Sequence, residues 1–264
     1  MAGLIEFKNS LRLAFAVWKA LFLREASVRM FGSRMAWMWL IAEPLIHIFW
    51  LVFVFTVIRV RHVGGIEIQL WIASGILVFL TFRRTLSQVQ KGVGASRALF
   101  SYRQVQPADV VLARMAMEFV VMLIISLFVF LVGILMGWGK FPESLLQVFE
   151  AFFLATMCGF GLGMIFAFFT SLLPDFDRVL GFITMPLMMI SGVIFPLGMV
   201  PEPYLSWLLL NPIAHIIESV RLAFAPYYHA VPGLDLGYAY HFALFLVFWG
   251  LLFFRGFRQR LIMR

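Results

Sequence analysis

The side chains able to do chemistry in this chain are few, and most sit in apolar sequence. Glu43 and His47 are four residues apart with Pro44 between them, so on a helix they share one face of a long hydrophobic run. Ionisable groups at such depth are costly unless paired, which makes both functional candidates. A second set follows the pattern N-P-x-x-H-x-x-E-x-x-R at Asn211, Pro212, His215, Glu218 and Arg221. Asn then Pro is a helix start, a cap followed by a first-turn proline. Spacings of three then set His215, Glu218 and Arg221 in one hydrogen-bonded, charge-neutral row. One His and one Glu make a poor metal site; the row suits holding a short helix in place. A third set is Arg24, Arg29, Arg83 and Arg84. Guanidinium groups grip phosphate and carboxylate bidentately, so the chemistry on offer is recruitment of an anionic headgroup. The cytosolic bias of Lys and Arg accounts for the same four charges without it. Glu118 and Glu150, near the ends of apolar spans, read as structural, snorkelling carboxylates.

The elements that must position these groups are membrane helices. Hydrophobic residues make up 63% of the 264, charged residues 13%, and mean hydropathy is +0.97, far outside the range of soluble domains. The expected fold is all-α integral membrane, a single domain over residues 1–264. Apolar runs near spanning length occur at Trp37–Ile58, Ile66–Phe82, Val110–Met136, Phe149–Leu173, Val179–Ile194 and Ala239–Phe254, predicting six transmembrane helices. The second and fifth are short. Glu67 and Gln69 weaken the start of the second, which is expected to run past Phe82 or to border a polar cavity. Between the fifth and sixth, residues 196–235 are apolar but cut by Pro196, Pro201, Pro203, Pro212, Pro226 and Pro232. Broken helices survive at membrane depth only under cover of protein or a water-filled cavity, so this stretch is expected to be a re-entrant helix pair.

The first 36 residues are no signal peptide, because Lys19, Arg24, Glu25 and Arg29 interrupt every apolar run. Leu11, Phe15, Trp18 and Phe22 fall on one helical stripe flanked by Lys8, Arg12 and Lys19, which predicts an amphipathic interfacial helix over 8–31. A helix packed on its own bundle would carry the same pattern. All Lys and Arg except Arg59, Arg61, Lys140 and Arg221 fall on one side of the six-span scheme, so both termini are expected in the cytosol. The net charge of +8 is therefore a topology signal and not a sign of nucleic-acid binding.

Lys91 to Arg114 is a basic, turn-punctuated segment between the second and third spans. Its middle combines Leu99, Phe100 and Tyr102 with Arg97, Arg103 and Gln104 before Pro107 opens the next span, which suits a docking loop over 93–106. A plain cytosolic loop whose arginines only set topology fits as well. The chain has no G-x-x-x-x-G-K-[ST], no H-E-x-x-H and no G-x-S-x-G, so intrinsic catalysis is not expected. The glycines of GFGLG, Gly159, Gly161 and Gly163, and the pair Gly133 and Gly137 are expected to let helices pack closely. The lone Cys158 excludes a disulfide framework and any multi-cysteine metal site.

Four of these stretches, SRMAWMWLIAEPLIHIFW, ALFSYRQVQPADVVLAR, MPLMMISGVIFPLGMVP and NPIAHIIESVR, resemble in order the permease subunits of ABC-2 type capsular polysaccharide exporters, the KpsM-like group. The resemblance spans nearly the whole chain. One departure is Tyr102-Arg103-Gln104, where the family has a proline after the tyrosine. The resemblance implies a homodimer in the bacterial inner membrane, docked on two ATP-binding cassette subunits that bind ATP and Mg, with no cofactor on this chain. The cargo would be a lipid-linked acidic polysaccharide, passed to a periplasmic co-polymerase or adaptor and an outer-membrane exporter. It further implies that Leu99, Phe100, Tyr102, Arg103 and Gln104 couple to the ATPase. The region of Pro196, Pro201, Asn211, Pro212, His215, Glu218 and Arg221 would form a periplasmic gate, and Arg24, Arg29, Arg83 and Arg84 would lie at substrate entry. An O-antigen or teichoic-acid exporter permease, or a drug exporter of the same fold, is the alternative within the class. A membrane enzyme of glycan or lipid metabolism is the alternative outside it, and the sparse acids at the surface, Asp109, Asp175 and Asp177, argue against that.

Overall fold

The computed structural model describes residues 2–32, 35–58, 61–102, 104–139, 141–228, 230–257 and 259, with the backbone alone at 2–11, 13, 30, 31, 36, 37, 56, 174 and 177. The apolar runs form helices, the one open structure that satisfies every backbone N–H and C=O within its own segment. In chain order they are α1 (Ala2–Phe31), α2 (Ala36–Val57), α3 (Ile68–Ala95), α4 (Pro107–Leu135), α5 (Leu145–Leu172), α6 (Asp177–Ile190), α7 (Tyr204–Leu208), α8 (Pro212–Phe224) and α9 (Leu236–Gly256). A two-stranded hairpin, β1 (His62–Val63) and β2 (Ile66–Glu67), joins α2 to α3 through Gly64 and Gly65, both at positive φ.

Among the described residues five helices, α2, α3, α4, α5 and α9, are long and apolar enough to cross a membrane. The fifth of the six expected crossings is instead the 14-residue α6, with Pro186 inside it and a stop at Ser191-Gly192. At 1.5 Å per residue α6 covers only about 21 Å of the ~30 Å hydrocarbon thickness. The weak second span does lengthen: α3 runs past Phe82 to Ala95. The proline-cut stretch holds a 3-10 turn at Leu197–Met199, the five-residue α7 and the 13-residue α8, each too short to span.

α3 is the axis of the bundle. It is buried over most of its length and packs most extensively on α5, then on α4, α2 and α8. The glycines of GFGLG explain the closeness. A Cβ on Gly159 would lie 2.5 Å from the Phe82 carbonyl oxygen, and one on Gly163 would lie 2.9 Å from that of Leu86, so both face α3. Gly161, on the opposite side of α5, would bring a Cβ to 2.6 Å from the Leu246 carbonyl carbon of α9. α5 is thus wedged between α3 and α9 with backbones in near contact. The other glycine pair behaves differently. Gly133 leaves room for the Trp138 ring, but Gly137 lies past the end of α4 at φ +83° and takes no part in helix packing. Trp138 N–H donates to Gly133 O (2.8 Å) and Gly137 N–H to Ile134 O (3.0 Å), a glycine-terminated helix end.

α1 lies against α4 and α2. Leu21, with Val17, packs on Val110 and Ala113, and Trp18 Nε1 donates to Asp109 (2.7 Å). Phe15 and the rest of Trp18 stay exposed. The helix therefore packs one face on its own bundle and leaves apolar side chains open on another. Leu11 and Lys8 have no described side chain.

Candidate functional site

Two buried ionic clusters, one cavity and one loop collect nearly all the residues singled out above. The first cluster is a chain of ion pairs linking four helices. Arg83 pairs with Glu43, and Arg84 reaches both Glu43 (3.3 Å) and Glu118 (2.6 Å). Arg29 pairs with Glu118 and with Glu25 (3.2 Å), and Arg114 closes the chain on Glu25 (3.5 Å). Three carboxylates thus face four guanidiniums, from α1, α2, α3 and α4. Glu118, 0% exposed, is the internal anion, and removing it would leave Arg29 with Glu25 and Arg84 with Glu43 as their remaining partners. Arg29, Arg83 and Arg84 come together here, while Arg24 stays exposed on α1. Sequence reasoning placed Glu118 too shallow and passed over Glu25 and Arg114 as partners. The usable signal was the i,i+4 spacing of Glu25 with Arg29; Arg114 and Glu118, at the same spacing, instead find partners on other helices.

At the edge of this network, a cavity of about 510 Å³ opens between α2, α3 and α6. Glu43, His47, Arg83, Arg84, Ser87, Gln88 and Thr184 form its polar lining, and Phe79, Met185 and Met188 part of its apolar wall. His47 Nδ1 is 2.8 Å from the Glu43 carbonyl oxygen, so the pair shares one face of α2 through a backbone contact.

The second cluster sits under the hairpin. Asn211 caps α8, its Oδ1 accepting from Ile213 N–H (3.1 Å) while its Nδ2 donates to Ser191 Oγ (2.8 Å) at the end of α6. Pro212 occupies the first turn, where its missing N–H costs nothing. Glu218 and Arg221 pair at 2.6 Å, both 0% exposed. Arg221 Nη2 also donates to Gly192 O (2.9 Å), and the guanidinium stacks 3.8 Å over the Trp71 ring. Trp71 Nε1 donates to Tyr228 Oη (3.4 Å), and Gly64 leaves room for the Tyr228 ring. Burial pushes the Tyr228 phenol above its usual pKa. His215 does not join the row: its Nε2 contacts Leu209 O (2.7 Å) and its Nδ1 accepts from Asp235 N–H (3.0 Å). That arrangement ties α8 to the chain on either side. Pro196 caps the 3-10 turn at Leu197–Met199, and Pro201 accepts the first hydrogen bonds of α7.

The loop of residues 93–106 is mostly compact. α3 supplies its start, Arg97–Ser101 forms a 3-10 helix, and Gln106 with Asp109 makes a reciprocal cap on α4. Leu99 and Phe100 are half-buried against the cluster of Leu21, Val110 and Ala113, so they hold the loop to its own bundle. Tyr102, 65% exposed, Arg97, Ser101 and Gln104 form the outward surface; Arg103 lies outside the described residues. Among the described residues no three His, Cys, Asp or Glu side chains converge as a metal site.

These features define a polytopic helical membrane protein with an internal ionic frame. The model of the ABC-2 type transporter membrane family matches residues 16–225, and the chain belongs to that family. It is similar to the polysialic acid transport protein KpsM of Escherichia coli, 31% identical over 239 residues covering 90% of this chain and 92% of that one. It is also similar to the capsule polysaccharide export inner-membrane protein CtrC of Neisseria meningitidis serogroup B, 24% identical over 83% of each chain. BexB of Haemophilus influenzae, a protein of the same description, is 26% identical over 81% of each.

Proposed function

We propose that this chain is the inner-membrane permease subunit of an ABC exporter that moves lipid-linked capsular polysaccharide. The observation that carries the reading is 31% identity along 90% of the chain to a polysialic acid transport protein. In this reading the chain acts as a homodimer, and two separate ATP-binding cassette subunits bind ATP and Mg. It has six crossings, with α6 as a short fifth, and both termini in the cytosol. The outward surface of the 97–104 loop meets the ATPase. The α7–α8 region is re-entrant and forms the periplasmic gate, beyond which an adaptor and an outer-membrane exporter receive the polymer. Deletion of the gene should abolish surface polysaccharide while the polymer accumulates inside. Complementation with this chain, but not by its ATPase partner alone, should restore it, read by surface antibody or lectin labelling of intact cells. Unchanged surface polysaccharide in the deletion strain would overturn the reading.

A further inference from the structure

The residues that line the α2–α3–α6 cavity carry two guanidiniums and one carboxylate. Arg83 and Arg84 line it, Glu43 is the one carboxylate among its lining residues, and Glu118 is buried behind Arg84. Ser87, Gln88 and Thr184 add hydroxyl and amide donors, and the volume of about 510 Å³ suits a headgroup with part of its attached chain. The two carboxylates on this arginine pair differ in kind. Glu118 is sealed, whereas Glu43 is 35% exposed and faces the cavity. An ion pair that remains partly hydrated is worth little net free energy, because water competes for both charges. Arg83 is held by Glu43, while Arg84 keeps Glu118 whatever Glu43 does.

We propose that this cavity is a binding site for a phosphate- or carboxylate-bearing headgroup, and that Glu43 is its built-in competitor. Glu43 occupies the Arg83 fork when the cavity is empty and yields it to the incoming anion. Arg84, anchored by Glu118, stays in place throughout the exchange. After the exchange Glu43 keeps Arg84, 3.3 Å away, as its partner while the headgroup takes Arg83, so entry of an anionic headgroup does not require an empty, unneutralised arginine pair in the membrane. His47, on the same face of α2, also lines the cavity. The proposal rests on the export reading only for the identity of the natural ligand; the exchange itself belongs to this chain alone.

The test is binding of dihexanoyl phosphatidylglycerol to the purified full-length chain in neutral maltoside detergent, with dihexanoyl phosphatidylcholine as the zwitterionic control. Glu43→Gln should tighten phosphatidylglycerol binding about fivefold, since the competitor is gone, and Arg83→Gln should weaken it by a similar factor. The double variant Glu43→Gln/Arg83→Gln restores the wild-type net charge and should bind no better than wild type. Arg83→Lys keeps the charge and loses the fork, so it should bind more weakly while unfolding at the wild-type temperature; it replaces Arg83→Gln if that variant fails to fold. Displacement by inorganic phosphate would assign the site to a free anion, and lack of displacement to a lipid-borne one. Glu43→Gln binding no tighter than wild type, or a double variant as tight as Glu43→Gln, would overturn the exchange. Binding is read without ATPase or export, so this result and the complementation result above can fail separately.

Discussion

Gly75 and Arg221 share one space: a Cβ on Gly75 would lie 2.8 Å from Arg221 Nη2. A long side chain can ordinarily swing away from such a contact. This one cannot, because its guanidinium is fully buried, paired with Glu218, bonded to Gly192 O and stacked on Trp71. Gly75→Ala should therefore displace the guanidinium from its partners and cost about 2 kcal/mol. Thermal unfolding in detergent measures it, and a wild-type midpoint would show that Arg221 has room to spare.

Glu218 and Arg221 are worth more as a pair than apart. Arg221→Ala strands a buried carboxylate and should cost about 3–5 kcal/mol. Replacing both with neutral residues, Glu218→Gln with Arg221→Met, should cost clearly less than that single change. The swap Glu218→Arg with Arg221→Glu should recover part of the folded yield lost by either single change. A double-mutant cycle on folded yield and unfolding temperature provides the coupling, and a coupling near zero would mean the two residues act independently.

Glu118→Gln removes the anion between Arg29 and Arg84 and should loosen α1 from the bundle, at a cost of about 3 kcal/mol. Limited proteolysis should then cut within α1 faster than in wild type while α3 to α5 stay protected. Equal cleavage rates would place the hold on α1 with Leu21 and Trp18 instead.

Phe100 and Tyr102 should separate on mutation. Tyr102→Ala is expected to leave the unfolding temperature unchanged and to weaken co-purification of the partner ATPase about tenfold, because an exposed aromatic is the typical anchor of such a contact. Phe100→Ala removes packing against α1 and α4 and should lower stability as well. Full ATPase recovery with the Tyr102 variant would move the contact to Arg97, Ser101 or Gln104.

Single cysteines in a Cys158→Ser background report the topology. A cysteine at His62 should react with an impermeant thiol reagent on intact cells, whereas cysteines at Lys91 and Arg178 should react only after lysis. All three native positions are exposed, so reactivity reads sidedness and not burial. Labelling at Lys91 but not His62 would invert the scheme.

Much of the architecture follows from sequence because hydrocarbon length and backbone hydrogen bonding leave few alternatives. The long helices fall within a few residues of the apolar runs, the second span extends as its polar start requires, and Asn211-Pro212 opens α8. Spacing along one helix likewise announced the Glu218–Arg221 pair. Pairings between helices were not legible, because they depend on which faces meet. His215 stands three residues before Glu218, yet its ring is drawn away by Leu209 O and Asp235 N–H. Glu118 reads as a snorkelling carboxylate until α1 and α3 bring Arg29 and Arg84 against it from positions 89 and 34 residues away in the chain. Phe100 reads as an exposed anchor until α1 folds over it. Periodicity records what a helix must bury, but the partner that covers it, and the charge that neutralises it, are set only when distant segments pack together.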